Sequence, residues 1–202
     1  MEGDTPCFLG LVRNGLGWEI SPAYGGWGGR YGLYQAFGET RKIWTNNGNS
    51  RDTVTADNGK TETTDQATIW RWREHYQNDF AARMNWCVAD AFEKANHNPQ
   101  LVLNGDRTKS VLTLPAKAGG EIVLSAEGTN DPDKNTVHLT WWIYPEAGTI
   151  RGATLTDVEG STTRVRLPAA TKAGTVHVIL QAEDDGTPHL FAYRRAILDV
   201  VP

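Results

Sequence analysis

The stretch DQATIWRWREHYQNDFAARMNWCVADAF, residues 65–92, decides how the first half of the chain is read. Its apolar positions Ile69, Trp72, Tyr76, Phe80, Met84, Cys87, Val88, Ala91 and Phe92 recur at steps of three and four, the helical period. Thr64 or Asp65 stands where an N-cap belongs. The spacing predicts one amphipathic helix whose apolar side must be buried. Its surroundings lack the alternating strands and helices of a complete α/β domain, so the helix reads as a piece of something larger.

Moving outward, the helical period stops at Asn96-His97-Asn98-Pro99, where Pro99 disfavours a helical Asn98. Beyond it the period becomes 2. Candidate strands are Leu101–Leu103, Ser110–Leu114, Glu121–Ala126, Val137–Tyr144, Ala153–Val158, Thr162–Arg166, Thr175–Ala182 and Ala192–Val200, with Gly-, Asn- and Asp-rich turns between them. Roughly seven or eight short strands at this spacing predict an antiparallel β-sandwich. Val176, Val178, Leu180 and Ala182 share one strand face, and Leu139, Trp141 and Ile143 share another. Trp141 then points inward. Trp142 points outward beside Tyr144, as a carbohydrate platform or as a surface covered by the first segment. On the other side of the helix, Phe8 to Val12 reads as a strand or the first turns of a helix. A glycine- and aromatic-rich stretch follows from Trp18 to Phe37. The polar segment Thr45–Asp65 reads as an exposed loop or hairpin.

The 202 residues carry a net charge of -4, so the basic footprint of a nucleic-acid binder is absent and no such partner is expected. No apolar run approaches the ~18 residues of a membrane span. The N-terminus lacks the basic start and small-residue cleavage pattern of a signal peptide. Cys7 and Cys87 belong to no CxxC or Cys/His cluster, which argues against structural zinc. They read as two buried thiols or as one disulfide between the N-terminal segment and the helix.

Several side chains have the right chemistry for a site. Glu2 and Asp4, in EGDTPCF, would share a hard cation such as Ca²⁺, or Asp4 would cap a short helix with Pro6 inside its start. In YGGWGGRY, residues 24–31, paired glycines let the backbone approach closely, and Arg30 adds a fixed charge and a donor fork. Tyr24, Trp27 and Arg30 therefore make a candidate substrate-binding loop, with Trp27 stacking on a sugar ring or base; the alternative is that Trp27 anchors the loop to the domain. Trp142 is the matching candidate in the second half. Asp131, Asp133, Asp184 and Asp185 lie in acidic turns, which bind calcium or simply hydrogen-bond their own backbone. Asp79 and Arg83 form an ordinary i,i+4 pair. The chain has no GxSxG, HExxH, P-loop or Rossmann fingerprint, and its histidines stand apart from any second ligand or nucleophile.

The segments EGDTPCFL (2–9), SPAYGGWGGRY (21–31) and ATIWRWREHYQNDFAARMNW (67–86) resemble the C-terminal part of a bacterial nucleoside-hydrolase-like domain, found in a family labelled cellulose-binding proteins. HNPQLVLNGD (97–106), LSAEGTNDPDKNTVHLTWWIYPEAGT (124–149), HVILQAEDDGTP (177–188) and YRRAILDV (193–200) resemble the all-β C-terminal domain of the same proteins. The resemblance implies a secreted or cell-envelope bacterial protein associated with carbohydrate. It implies Ca²⁺ in the complete parent, where the metal activates a water that attacks the anomeric carbon. Asp4 is the position that resembles the family's downstream calcium aspartate, with Glu2 beside it. The DxDxxxDD cluster of nucleoside hydrolases is not in this chain.

The expected fold class is therefore α+β. Residues 1–97 form a long helix and loop segment, the tail of a nucleoside-hydrolase-like α/β domain, and residues 98–202 form an Ig- or PKD-like antiparallel β-sandwich. The expected function is part of a carbohydrate-active, glycosyl-hydrolase-like protein, with the chain alone catalytically incomplete. The alternative is a non-catalytic cellulose- or polysaccharide-binding module or structural spacer. Expected partners are a carbohydrate or nucleoside-like ligand and, through exposed aromatic helix surface, a second copy of the chain.

Overall fold

The polar segment after Thr45 closes into a hairpin. Strands β3 (Asp52–Thr55) and β4 (Thr61–Thr64) pair antiparallel, and the threonine hydroxyls of Thr53 with Thr63 and of Thr55 with Thr61 meet across them at 2.9 Å. The computed structural model describes residues 5–46, 50–56, 58–169 and 172–202, which are mostly β with few helices. They fall into two compact units, Met1–Tyr76 and Gln77–Pro202.

In the first unit, α1 (Thr5–Leu9) precedes a two-strand ribbon of β1 (Gly32–Leu33) and β2 (Trp44–Thr45). The apolar segment near Phe8 is thus helical at its start. Gly10 makes room for an indole: a Cβ there would lie 2.2 Å from the Trp18 ring. After the hairpin, α2 (Ala67–Trp70) begins where the sequence places a cap. Thr64 Oγ1 accepts the Ala67 N–H at 3.0 Å and Asp65 Oδ1 accepts the Gln66 N–H at 3.1 Å.

The single helix expected over 65–92 is broken. Trp72 N–H bonds to Ile69 O, three residues back, and α3 (Arg73–Val88) starts after this tighter turn. It ends at Val88, and a separate 3₁₀ turn covers Phe92–Lys94. Trp72 is buried as expected, but along α3 the expected apolar face turns outward. Phe80 is 61% and Val88 82% exposed, and Met84 and Cys87 are exposed beside them, whereas Asp79 and Ala82 are buried. The reason lies in polar contacts to the second unit, to which residues 77–88 belong. Asn78 donates to His189 O at 3.1 Å, Asp79 Oδ1 accepts from Asn98 at 3.3 Å, and Trp86 Nε1 donates to Asn96 O at 2.6 Å. Those bonds fix which side of the helix faces inward.

The rest of the second unit is two sheets. One runs in the order β5 (Leu112–Lys117), β11 (Phe191–Val201), β10 (Gly174–Asp184), β7 (Val137–Ile143); the other runs β6 (Glu121–Ser125), β9 (Thr162–Arg166), β8 (Thr154–Leu155). They share one core, in which Leu124 and Val165 of the smaller sheet join Trp141, Val176, Val178, Leu180, Ala182 and Leu198 of the larger. The alternation read in β10 and β7 holds. The purely antiparallel expectation does not, because β5 lies parallel to β11. Leu101–Leu103 is buried but forms only an isolated bridge, Leu103 to Asp106, so this apolar run is packed coil. The opposite face of β10 and β11 is buried as well, through His177, Ile179, Tyr193, Arg195 and Ile197.

Candidate functional site

In the first unit the glycine-rich loop is held by its aromatic and basic residues rather than displaying them. Trp27 is only 2% exposed, so it is an anchor; the expectation of an exposed stacking platform is corrected, since a buried indole offers no face to a sugar. Trp18 Nε1 donates to Gly29 O at 2.9 Å and its ring meets Tyr31 edge-on. Tyr24 ends a 3₁₀ turn and is half-buried. Arg30 is buried against the hairpin. Its Nε donates to Asp52 Oδ1 at 2.7 Å and its Nη2 to Arg51 O at 2.7 Å. Arg71 Nε forms an ion pair with Asp52 Oδ2 at 3.4 Å and Nη2 donates to Thr53 O at 3.2 Å. Arg30 is thus a structural ion-pair residue, and its charge is already neutralised.

Glu2 and Asp4 lie outside the described residues. Cys7 and Cys87 are both free and exposed, so neither the buried-thiol nor the disulfide expectation describes them. The Cys7 thiol lies 3.3 Å from Tyr31 Oη, and burial, with Cys7 beside it, raises the pKa of that phenol.

The second unit brings its polar side chains together at the segment where the helical period stops, Asn96 to Pro99. Asn96 sits at the centre. Its Nδ2 donates to Asp184 Oδ1 at 2.9 Å and to Pro188 O at 2.8 Å, and its Oδ1 accepts from Asn135 Nδ2 at 2.7 Å. Gly186 is required there, since a Cβ would fall 2.1 Å from Asn96 Nδ2. Asp133 Oδ2 accepts the His97 N–H at 2.7 Å, and its carboxylate faces His97 Nδ1 at 3.2 Å. His97 in turn stacks on Phe92, with centroids 3.7 Å apart, and on Trp86 at 5.4 Å; Arg83 lies over the Trp86 ring. A polar cleft of about 320 Å³ lined by Glu93, Asn96, Asp133 and Asn135 opens beside Asn96, and a second of about 360 Å³ borders the stacked rings. Asp131 Oδ1 accepts the N–H groups of Asp133 and Asn135, and Asp185 Oδ1 accepts that of Thr136, as turn-forming aspartates do.

Trp141 is buried and donates to Gly160 O at 2.9 Å, the inner position expected of it. Trp142 is half-buried on the opposite face, tilted against Tyr144 at 5.4 Å, but Tyr144 is itself fully buried, so the two do not form a paired platform. Sequence reading missed the roles of Asn96, His97 and Asn98. The available signal was an Asn-His-Asn run preceding two acidic turns, and it was masked by Pro99. Among the described residues, no three His, Cys, Asp or Glu side chains form a ready metal cluster, and no helix is long and apolar enough to cross a membrane.

Comparison with known proteins agrees with the resemblance. Residues 121–200 match the model of the C-terminal domain of the cellulose-binding protein Sde0182, and residues 1–31 match that of the nucleoside hydrolase-like domain of cellulose-binding Sde182. A solved nucleoside hydrolase-related hypothetical protein from Saccharophagus degradans, described as associated with carbohydrate metabolism, is 31% identical over 100% of the chain with a TM-score of 0.82. The chain covers 48% of that protein, about half its length. Human CDH23 EC21-23 overlaps 52% of the chain, and 33% of its own, at 18% identity and a TM-score of 0.36, too low to bear on the fold. No curated protein matches. The start of the chain is thus similar to the nucleoside hydrolase-like domain, and its end to the C-terminal domain, of cellulose-binding Sde0182 proteins.

Proposed function

We propose that the chain is the carbohydrate-associated, non-catalytic portion of a longer extracellular or cell-envelope protein and contacts a polysaccharide, with cellulose as the first substrate to test. The match of residues 121–200 to a domain of a cellulose-binding protein carries this reading. Two surfaces suit it: Phe92, exposed and stacked on His97, and the half-buried Trp142. The two-sheet unit is read as an Ig- or PKD-like sandwich beginning near residue 98, on the strength of its strand order and shared core. Calcium at Asp4 and Glu2, and glycosidic bond cleavage, are proposals for the longer protein alone. The test is retention of the full chain on insoluble cellulose. Retention that falls several-fold in Phe92→Ala or Trp142→Ala supports the reading, and a chain that stays in the supernatant overturns it.

A second reading rests on the exposed stripe Phe80, Met84 and Val88. In it the chain is a structural partner of a nucleoside-hydrolase-like body, and the stripe is the contact. A cooperative, soluble chain with no glycan retention favours this reading over the first.

A further inference from the structure

Asp184 is 1% exposed, yet its two carboxylate oxygens are treated unequally. Oδ1 is saturated: it accepts from Asn96 Nδ2 at 2.9 Å, from Gly186 N–H at 2.9 Å and from Leu190 N–H at 3.0 Å. Oδ2 is buried and has no hydrogen-bond partner. A buried carboxylate oxygen left bare forfeits its hydration without return. The same is true of a neighbour. Asp131 Oδ1 takes two backbone N–H groups, while Asp131 Oδ2 is buried and unpartnered. These two carboxylates feel each other. The Asp131 pKa is raised first by burial and further by repulsion from Asp184 and Asp133. Among the described residues, no lysine or arginine pairs with any of the three, and their one ion pair is Asp133 with His97.

We propose that Asp184 and Asp131 bind one hard divalent cation, Ca²⁺, through these two bare oxygens, at the end of the two-sheet unit where Asn96, Asn135 and Pro188 O meet. The donors are carboxylates, amides and a carbonyl, with no thiolate, which suits calcium rather than zinc. Calcium takes six to eight oxygens in flexible geometry, so two carboxylates are completed by neutral oxygens and water and need no third acid. The hydrogen bonds that fix Asp184 Oδ1 and Asp131 Oδ1 hold the two side chains in place, so ordering them on binding costs little. The proposal uses none of the residues named for calcium in the longer protein, Asp4 and Glu2, and its test distinguishes the two.

The test is calorimetric titration of the chelator-stripped full chain with CaCl₂, together with thermal unfolding with and without the ion. The wild type is expected to bind one Ca²⁺ and to melt at a higher temperature in millimolar Ca²⁺. Asp184→Asn keeps the Oδ1 acceptor and replaces the bare oxygen with an amide, and Asp131→Asn does the same at its position. Both should weaken Ca²⁺ binding at least tenfold, while Asp131→Asn should melt no lower than wild type without calcium, because it removes the repulsion. Asp4→Ala should bind Ca²⁺ as wild type does. The proposal is overturned if the wild type neither binds nor shifts in millimolar Ca²⁺, if both Asn variants bind as wild type does, or if only Asp4→Ala abolishes binding.

Discussion

Asp52 in the first unit and Asp184 in the second are equally buried and differently supplied. Asp52 is met by two guanidiniums, Arg30 on Oδ1 and Arg71 on Oδ2, so its charge is balanced from both sides. Asp184 is met by an amide and two backbone N–H groups, all on Oδ1. The first arrangement holds three charged side chains that need one another, and losing any of them strands the rest. The second holds a negative charge by dipoles alone and leaves one oxygen for something else. Burial therefore does not distinguish a structural carboxylate from one poised for a ligand; the partner of each oxygen does.

The comparison breaks most visibly at Asp52. Asp52→Ala leaves Arg30 and Arg71 facing each other without their shared anion, and removal of one partner of a buried ion pair costs about 3–5 kcal/mol. Urea unfolding should show that loss, and a drop below about 1 kcal/mol would mean that solvent already screens the network. Acid tests the same rule for buried bases. His177 accepts a hydrogen bond from Arg195 at 2.9 Å, so a proton on it would sit beside a fixed cation. Burial, then Arg195, lowers its pKa to about 3, and burial lowers that of His75 to about 4. Both lie below the unfolded value near 6.5, so the unfolded chain takes up more protons in this window. Stability should be full above pH 6.5 and fall toward pH 4, by about 1.4 kcal/mol per pH unit per histidine. The slope of unfolding free energy against pH should flatten in His177→Gln; an unchanged slope would remove His177 from the account.

Asp184 predicts a smaller effect. In chelator, Asp184→Asn should cost less than about 1 kcal/mol, because the oxygen it alters has no bond to lose and the accepting oxygen is kept. A loss as large as that at Asp52 would show that the second carboxylate oxygen has a partner in solution, and the contrast between the two units would collapse.

The strands were legible because period 2 survives wherever one face meets a core, and Thr162–Arg166 agrees residue for residue. The partner of β5 was not legible, because alternation says which face is buried but not whether a neighbour runs parallel. The helix was half legible. The side-chain bonds of Thr64 and Asp65 at its start are local chemistry and were legible, although the capping position itself is Gln66. The helix's inward face is set by partners distant in sequence, Asn98 on Asp79 and His189 on Asn78, which no periodicity encodes. The Trp27 loop misled because glycines flanking an aromatic residue admit both an exposed platform and a buried anchor. Asn96 was hidden differently: a residue three positions before a proline, at the end of a helical pattern, reads as punctuation, although its amide joins three segments.

The exposed stripe of α3 supplies the smallest effect. Phe80 and Val88 contribute little to a fold in which their side chains stay in solvent, and such surface changes fall within about 0.5 kcal/mol. Phe80→Ser with Val88→Ser should leave the urea midpoint almost unchanged. Sedimentation separates what the stripe does instead. If copies of the chain meet through it, the double variant should be monomeric at concentrations where the wild type is not. If both are monomeric, the stripe fits a contact with the further length carried by the nucleoside hydrolase-related relative, of which this chain covers 48%. A stability loss above about 1 kcal/mol would mean that the apolar side is used within this chain. The expected helix face would then be the correct one, and the polar bonds at Asn78, Asp79 and Trp86 would be secondary.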